Sequence, residues 1–186
     1  MRTERNSRTL ALALLCIVLP ALSGTVWGRT LYVDDDATPP GDGSSWTTAF
    51  RYLQDAMAAT SAGDEIRVAQ GVYRPDQAHQ VVEGDRRATF LLNDGVAILG
   101  GFAGVGAADP DLRDPDRFAT ILSGDLAGDD DTGDPLARYN NSFSVVMAPA
   151  VGSDTVLDGL TICHAYVADG HGGGLRQADR KFPRLP

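Results

Sequence analysis

The stretch that most constrains this chain is residues 90–104, FLLNDGVAILGGFAG. It reads as a short apolar strand, a tight turn, a second apolar strand and paired glycines. Asn93, Asp94 and Gly95 are the residue types that tolerate the left-handed backbone of tight turns. Val96, Ile98 and Leu99 favour extended backbone, and each apolar run is too short for a helix. Gly100, Gly101 and Gly104 mark sharp bends or close backbone approach. The same order recurs: Glu65-Ile66-Arg67-Val68-Ala69 alternates polar and apolar, residues 119–124 read ATILSG, 143–148 read FSVVMA, and 155–162 read TVLDGLTI with an Asp-Gly turn inside. Such a core unit of about 20–30 residues lies in the range of solenoid repeats.

Helical spacing appears once in the chain beyond residue 28. Trp46, Phe50, Leu53 and Met57 are spaced 4, 3 and 4 apart, as on one face of an α-helix. Ser44 or Ser45 supplies a candidate cap, and Gly63 stands where a helix stop belongs. An amphipathic helix ahead of a series of strands suits a cover for the open end of a sheet stack. The expected fold is therefore all-β: a right-handed parallel β-helix, a solenoid with an N-terminal amphipathic capping helix. Its strands pair with those of preceding and following coils, and Val, Ile and Leu fill the interior. A β-sandwich is the alternative, and it predicts more regular hairpins and fewer long excursions.

Residues 1–28 read as a secretory signal peptide. Arg2, Arg5 and Arg8 precede the apolar run LALALLCIVL, and Pro20 and the Val26-Trp27-Gly28 cleavage pattern follow. That run is too short to span a bilayer, and no later segment is a transmembrane candidate. The expected location is secreted or cell-surface. The β-helix domain is expected over residues 29–175 and an irregular basic tail over 176–186. The formal net charge of −9 grows more negative once the basic leader is removed. That argues against nucleic acid and anionic membrane surfaces as partners and suits a soluble extracellular protein, including one that binds cations. Cys163 is the single cysteine outside the leader, so no internal disulfide can form. It reads as a small buried apolar residue, with His164 expected on the opposite strand face.

The leading chemical candidate is the loop GDLAGDDDTGDP. Asp125, Asp129, Asp131 and Asp134 are its candidate metal ligands, with Asp130 in the same run. Asp129-x-Asp131-x-Gly133 places two carboxylates and a flexible glycine as short calcium loops do, although the terminal Glu of an EF-hand is missing. A solvated acidic turn is the alternative. Asp34, Asp35 and Asp36 form a second acidic run, in which one member can instead cap a turn.

A lyase would need calcium carboxylates and an Arg or Lys base, for which Arg67, Arg74, Arg113, Arg117 and Arg138 are available without matching any lyase motif. His79, His164 and His171 lack zinc-ligand spacing. The glycines at 100–104 are no nucleotide loop, since no Lys-Ser/Thr follows. Asn140-Asn141-Ser142 is a formal glycosylation sequon. Tyr32, Trp46, Tyr73 and Phe102 form a conceivable sugar-stacking set, with core or cap positions as the alternative.

The segments YVDDDA, GDGSSWTTAFRYLQDAMAAT, GDEIRVAQGVYRP, FLLNDGVAILGGFAG, ATILSGDLAGDD and TVLDGLTI, with GGG after them, together resemble the N-terminal region of certain secreted bacterial proteins. These carry a pectate-lyase-like right-handed β-helix and are common among surface proteins of planctomycetes. His171-Gly172-Gly173-Gly174-Leu175 also resembles the start of the polymorphic outer-membrane protein repeat. The resemblance covers roughly residues 31–175. It implies a fold but not a function, because this fold carries lyases, hydrolases, adhesins and stalks alike. After GGG the family continues for further coils, whereas this chain ends in a short basic segment, which reads as a truncated frame or fragment.

The expected function is a secreted or cell-surface module with a structural, adhesive or carbohydrate-contacting role, non-catalytic as it stands. The alternative is the N-terminal fragment of a calcium-dependent polysaccharide lyase or glycoside hydrolase. Calcium is the expected cofactor if there is one, and polysaccharide or cell-surface glycan the expected partner.

Overall fold

The computed structural model of the chain describes residues 28–167 and 173–177. Nearly all of the expected leader, His171 and most of the expected basic tail lie outside the described residues.

The elements run β1 (Thr30–Val33), α1 (Leu53–Ala59), β2 (Glu65–Ala69), β3 (Gly71–Tyr73), β4 (Phe90–Leu91), β5 (Ala97–Phe102), β6 (Thr120–Ser123), β7 (Ser144–Ala148), β8 (Val156–Asp158), β9 (Leu160–Cys163) and β10 (Gly173–Gln177). Every pairing between these strands is parallel. They form three small sheets, ordered β1-β2-β5-β8, β10-β7-β4 and β3-β6-β9. Parallel neighbours cannot be joined by a tight hairpin: β1 and β2, which share a sheet, are joined through α1, and from β2 onward each connection sends the chain to a different sheet. The Asn93-Asp94-Gly95 turn does this. It lies between β4, which pairs with β7, and β5, which pairs with β2 and β8. Asn93 fixes it by donating from Nδ2 to the carbonyl of Met57 and to Thr60 Oγ1.

The period-2 alternation read from the sequence sets the two faces of the four-stranded sheet. Leu31, Ile66, Ile98 and Leu157 share one register row; Leu31 is buried, and the other three belong to or pack against the main core. The next row is Tyr32, Arg67, Leu99 and Asp158, on the outer face. Val33, Val68, Phe90, Leu122, Val145 and Val146 complete the core, each at most 1% exposed. Burying such a side chain contributes about 1.5–3 kcal/mol.

These observations correct the expected fold class. An all-β right-handed parallel β-helix, with a helix covering only one end, is not what the described residues form. Among the described residues ten short strands form three small sheets beside one α-helix, and the mixture is α/β-like. The helix is part of the core itself: Leu53, Ala56 and Met57 pack with residues of all three sheets.

The helix is also shorter than its spacing predicts. Trp46–Thr48 is a 3-10 turn, and Phe50 pairs with β1: the Phe50 amide donates to the Tyr32 carbonyl and the Asp34 amide to the Phe50 carbonyl. Backbone pairing with β1 thus overrides helical propensity up to Tyr52. Trp46 leaves the helix face and packs with Phe102 and Tyr32 on the outer side of the sheet.

Candidate functional site

The 20-residue connection between β6 and β7, residues 124–143, is longer than ordinary connections, and loops of that length are usually functional or disordered. Here it is ordered by its own side chains. Asp125 is 8% exposed and acts as the organising acceptor. Its Oδ1 accepts from the amides of Gly128 and Asp129, and its Oδ2 from the amide of Asp130. That arrangement folds the chain back so that the carboxylates of Asp125, Asp129 and Asp130 lie within 4.8 Å of one another. Two like charges about 4 Å apart repel by about 4 kcal/mol at the effective dielectric of a protein surface, so such a group calls for an opposing charge. None is supplied by an ion pair: among the described residues the ion pairs are Arg29–Asp64, Arg67–Glu65, Arg67–Asp111 and Arg113–Asp158. Arg74 and Arg86 come close, but donate to the backbone carbonyls of Asp125 and Asn141.

The end of the same loop closes over the carboxylates. The 3-10 turn Ala137–Asn140 delivers two amides. Asn140 Nδ2 donates to both oxygens of Asp129, at 3.1 and 3.0 Å, and Asn141 Nδ2 to Asp130 Oδ2 at 2.7 Å. Four buried oxygens here have no partner: Asp130 Oδ1, Asn140 Oδ1, Asn141 Oδ1 and Ser142 Oγ. Gly124 makes this closure possible. A Cβ there would stand 2.4 Å from the His164 carbonyl oxygen and 2.7 Å from Ser142 Oγ.

Of the four aspartates singled out by sequence as metal ligands, the structure brings Asp125 and Asp129 together and joins Asp130 to them. Asp131 and Asp134 are exposed. The Asp-x-Asp-x-Gly spacing assumes an open loop, but Asp130–Thr132 is a 3-10 turn that takes Asp131 away from the group. Asp134 instead accepts the amide of Leu136. The asparagines were visible in the sequence only as a sequon.

The other acidic run is differently built. Asp34, 3% exposed, accepts the amide of Val105 on one oxygen and that of Asp36 on the other. Asp35 accepts the amide of Val72. Burial raises the carboxyls of Asp34 and Asp35 above their ordinary value, against these hydrogen bonds. Asp35 and Asp36 also line a polar cleft of about 280 Å³ with Arg51, Tyr52, Arg74 and Gln77. It adjoins an apolar cleft of about 540 Å³ formed by Pro39, Pro40, Phe50 and His79, and Arg51 and Tyr52 line both.

The remaining candidates are committed to packing. Trp46, Tyr73 and Phe102 are buried, so they form no exposed sugar platform. Arg67 is bonded to Glu65 and Asp111, and Arg113 to Asp158 and the Gly100 carbonyl. Arg117 lies over Phe118, and Arg138 over Tyr139 and Tyr166.

Cys163 and His164 depart from expectation. His164 has left the strand with φ of 60°, and its Nδ1 lies 3.1 Å from Cys163 Sγ and 3.2 Å from Ser123 Oγ. Burial nevertheless raises the Cys163 thiol, the opposite of what a nucleophile needs. No helix among the described residues is long and apolar enough to cross a membrane.

The chain matches no known protein family, and no curated protein and no solved structure matches it, so nothing beyond the quoted sequence segments supports the expected resemblance to pectate-lyase-like proteins.

Proposed function

We propose that this chain is a secreted or cell-surface module that contacts carbohydrate and is non-catalytic as it stands. The supporting observation is the pair of adjoining clefts that share Arg51 and Tyr52. A sugar ring offers an apolar C–H face and a rim of hydroxyls. Tyr52, Pro39 and Pro40 suit the face, while Asp35, Asp36, Arg51 and Gln77 suit the rim. A uronate carboxylate would pair with Arg51, whose planar guanidinium matches it in bidentate fashion. The non-catalytic part rests on the arginines named as candidate bases, which are held in ion pairs, on backbone carbonyls or over aromatic rings.

The test is retention on immobilised polygalacturonate, alginate and neutral glucans, followed by calorimetry with oligosaccharides of whichever is retained. Tyr52→Ala and Arg51→Ala should each weaken binding about tenfold, or about 1.4 kcal/mol. Lack of retention on every polymer, or an unchanged affinity in Tyr52→Ala, would overturn the carbohydrate reading. Release of unsaturated uronate during incubation would overturn the non-catalytic part.

A further inference from the structure

We infer that the 124–143 loop is a calcium site formed by the carboxylates of Asp125, Asp129 and Asp130 and the side-chain amide oxygens of Asn140 and Asn141. The inference is independent of the carbohydrate clefts.

Three observations carry it. The first is the charge: three carboxylates lie within 4.8 Å, and none is ion-paired among the described residues. The second is the set of unanswered oxygens. Asn141 is 1% exposed and its head group touches the Asp130 carboxylate, yet its Oδ1 has no donor. Asp130 Oδ1 and Asn140 Oδ1 are in the same condition. A buried carboxylate oxygen without a donor is costly, and native proteins rarely keep one. A cation beside Asp130 answers it.

The third is the way the asparagines sit. Each turns its NH₂ toward a carboxylate, the orientation preferred when no cation is present. The two ends of an asparagine amide have nearly the same shape. A half-turn of each amide presents Oδ1 to the space that Nδ2 now faces, without moving the backbone. Donors are then available for a full shell. Asp125 Oδ2 has accepted one amide and keeps a free lone pair, while Asp129 and Asp130 offer one or both oxygens. With one oxygen from each asparagine, and water for the remainder, this meets the roughly six to eight oxygens that calcium takes.

All the donors are hard oxygens, which selects calcium or magnesium over zinc or copper. The crowding of adjacent side chains along one loop suits the larger, geometrically tolerant ion. A cleft of about 360 Å³ lined by Glu83, Gly84, Arg86, Leu126, Ala127 and Asn140 reaches Asn140 from solvent and provides access.

The experiment is calorimetric titration of the full chain, freed of metal by chelator, with calcium chloride. The expected result is one calcium per chain. The double variant Asp129→Asn/Asp130→Asn should weaken binding about a hundredfold or more, because affinity follows the number of charged ligands. Asn140→Ala, at a partly exposed position, removes one ligand with little demand on folding and should weaken binding roughly tenfold. Asp131→Asn should leave it within about twofold, since that exposed carboxylate stands outside the ligand set. No calcium binding by the wild-type chain would overturn the inference. So would unchanged affinity in Asn140→Ala, or a loss in Asp131→Asn as large as in the double variant.

Discussion

Asp34, Asp35 and Asp36 at the end of β1 and Asp125, Asp129 and Asp130 after β6 are both triplets whose carboxylates lie within 4.8 Å, but their oxygens are answered differently. In the first triplet the partners are backbone amides from other passes of the chain, those of Val105 and Val72, together with the local amide of Asp36. A Cβ at Gly104 would stand 2.3 Å from Asp34 Oδ2, so the backbone is packed onto this carboxylate. The carboxylates there tie neighbouring segments together. In the second triplet only Asp125 accepts backbone amides, and they belong to its own loop. Asp130 and the two asparagines, Asn141 bonded to it and Asn140 to Asp129, keep oxygens that nothing protonic answers. Acidic residues alone therefore do not distinguish a brace from a binding site; the accounting of their lone pairs does.

The comparison can be broken by substitution. Asp125→Ala should be the most damaging, because the amides of Gly128, Asp129 and Asp130 lose their acceptor together. A loss of about 2–3 kcal/mol in urea unfolding is expected, within the range for donors left unsatisfied, with calcium binding abolished as well. Asp34→Asn comes next. Both of its oxygens accept amides, so an NH₂ group must face one of them. A loss of about 1–2 kcal/mol is expected, equal with and without calcium. Asp130→Asn in chelator should cost no stability and should raise the urea midpoint, since it removes one of three clustered charges and its Oδ1 has no donor to lose. If Asp34→Asn proves harmless and Asp130→Asn costly in chelator, the two regions have been assigned the wrong way round.

The smallest effect is in pH. Burial lifts the carboxyls of Asp34 and Asp35 above 3.8, so the folded state holds protons that the unfolded chain releases. Their contribution to stability is present below 3.8 and lost as the pH rises through the raised values. Asp64 runs the other way. Burial alone would raise its carboxyl, but the amides of Arg29 and Ser61 and the Arg29 guanidinium outweigh it and bring it below 3.8. Its contribution is present above 3.8 and lost as the pH falls through the lowered value. Urea midpoints measured from about pH 3 to 6 should therefore fall less steeply toward the alkaline end in Asp34→Asn than in wild type.

Much of the local architecture was legible in the sequence. Strands occur where Glu65-Ile66-Arg67-Val68-Ala69, Ile98-Leu99 and Val145-Val146 predict them, because period-2 alternation and β-branched residues act locally. The fold class was not legible, because no local pattern shows that Leu53, Ala56 and Met57 belong to the core itself. The spacing of Trp46 and Phe50 with Leu53 suggested a longer helix, and pairing of Phe50 with β1 overrode it. Asp125 and Asp129 stood out as acidic residues in a turn-rich loop. Asp131 was drawn in by spacing that holds for an open loop and fails once Asp130–Thr132 winds into a 3-10 turn. Asn140 and Asn141 were missed because about ten residues separate them from the carboxylates they touch, and only the folded loop joins them. The closeness of Cys163 and His164 was missed for a related reason. Strand alternation separates neighbours until one leaves the strand, as His164 does.

The most direct test is terbium luminescence excited through tyrosine, with terbium standing in for calcium. Each region has a tyrosine close by: Tyr73 receives the Asp35 amide in a hydrogen bond, and Tyr139 precedes Asn140 and packs on Tyr166. Both are thus able to report. The account predicts sensitised emission that calcium displaces, that Asp129→Asn/Asp130→Asn abolishes and that Asp35→Asn/Asp36→Asn leaves intact. Emission that survives the first double variant and disappears in the second would contradict it.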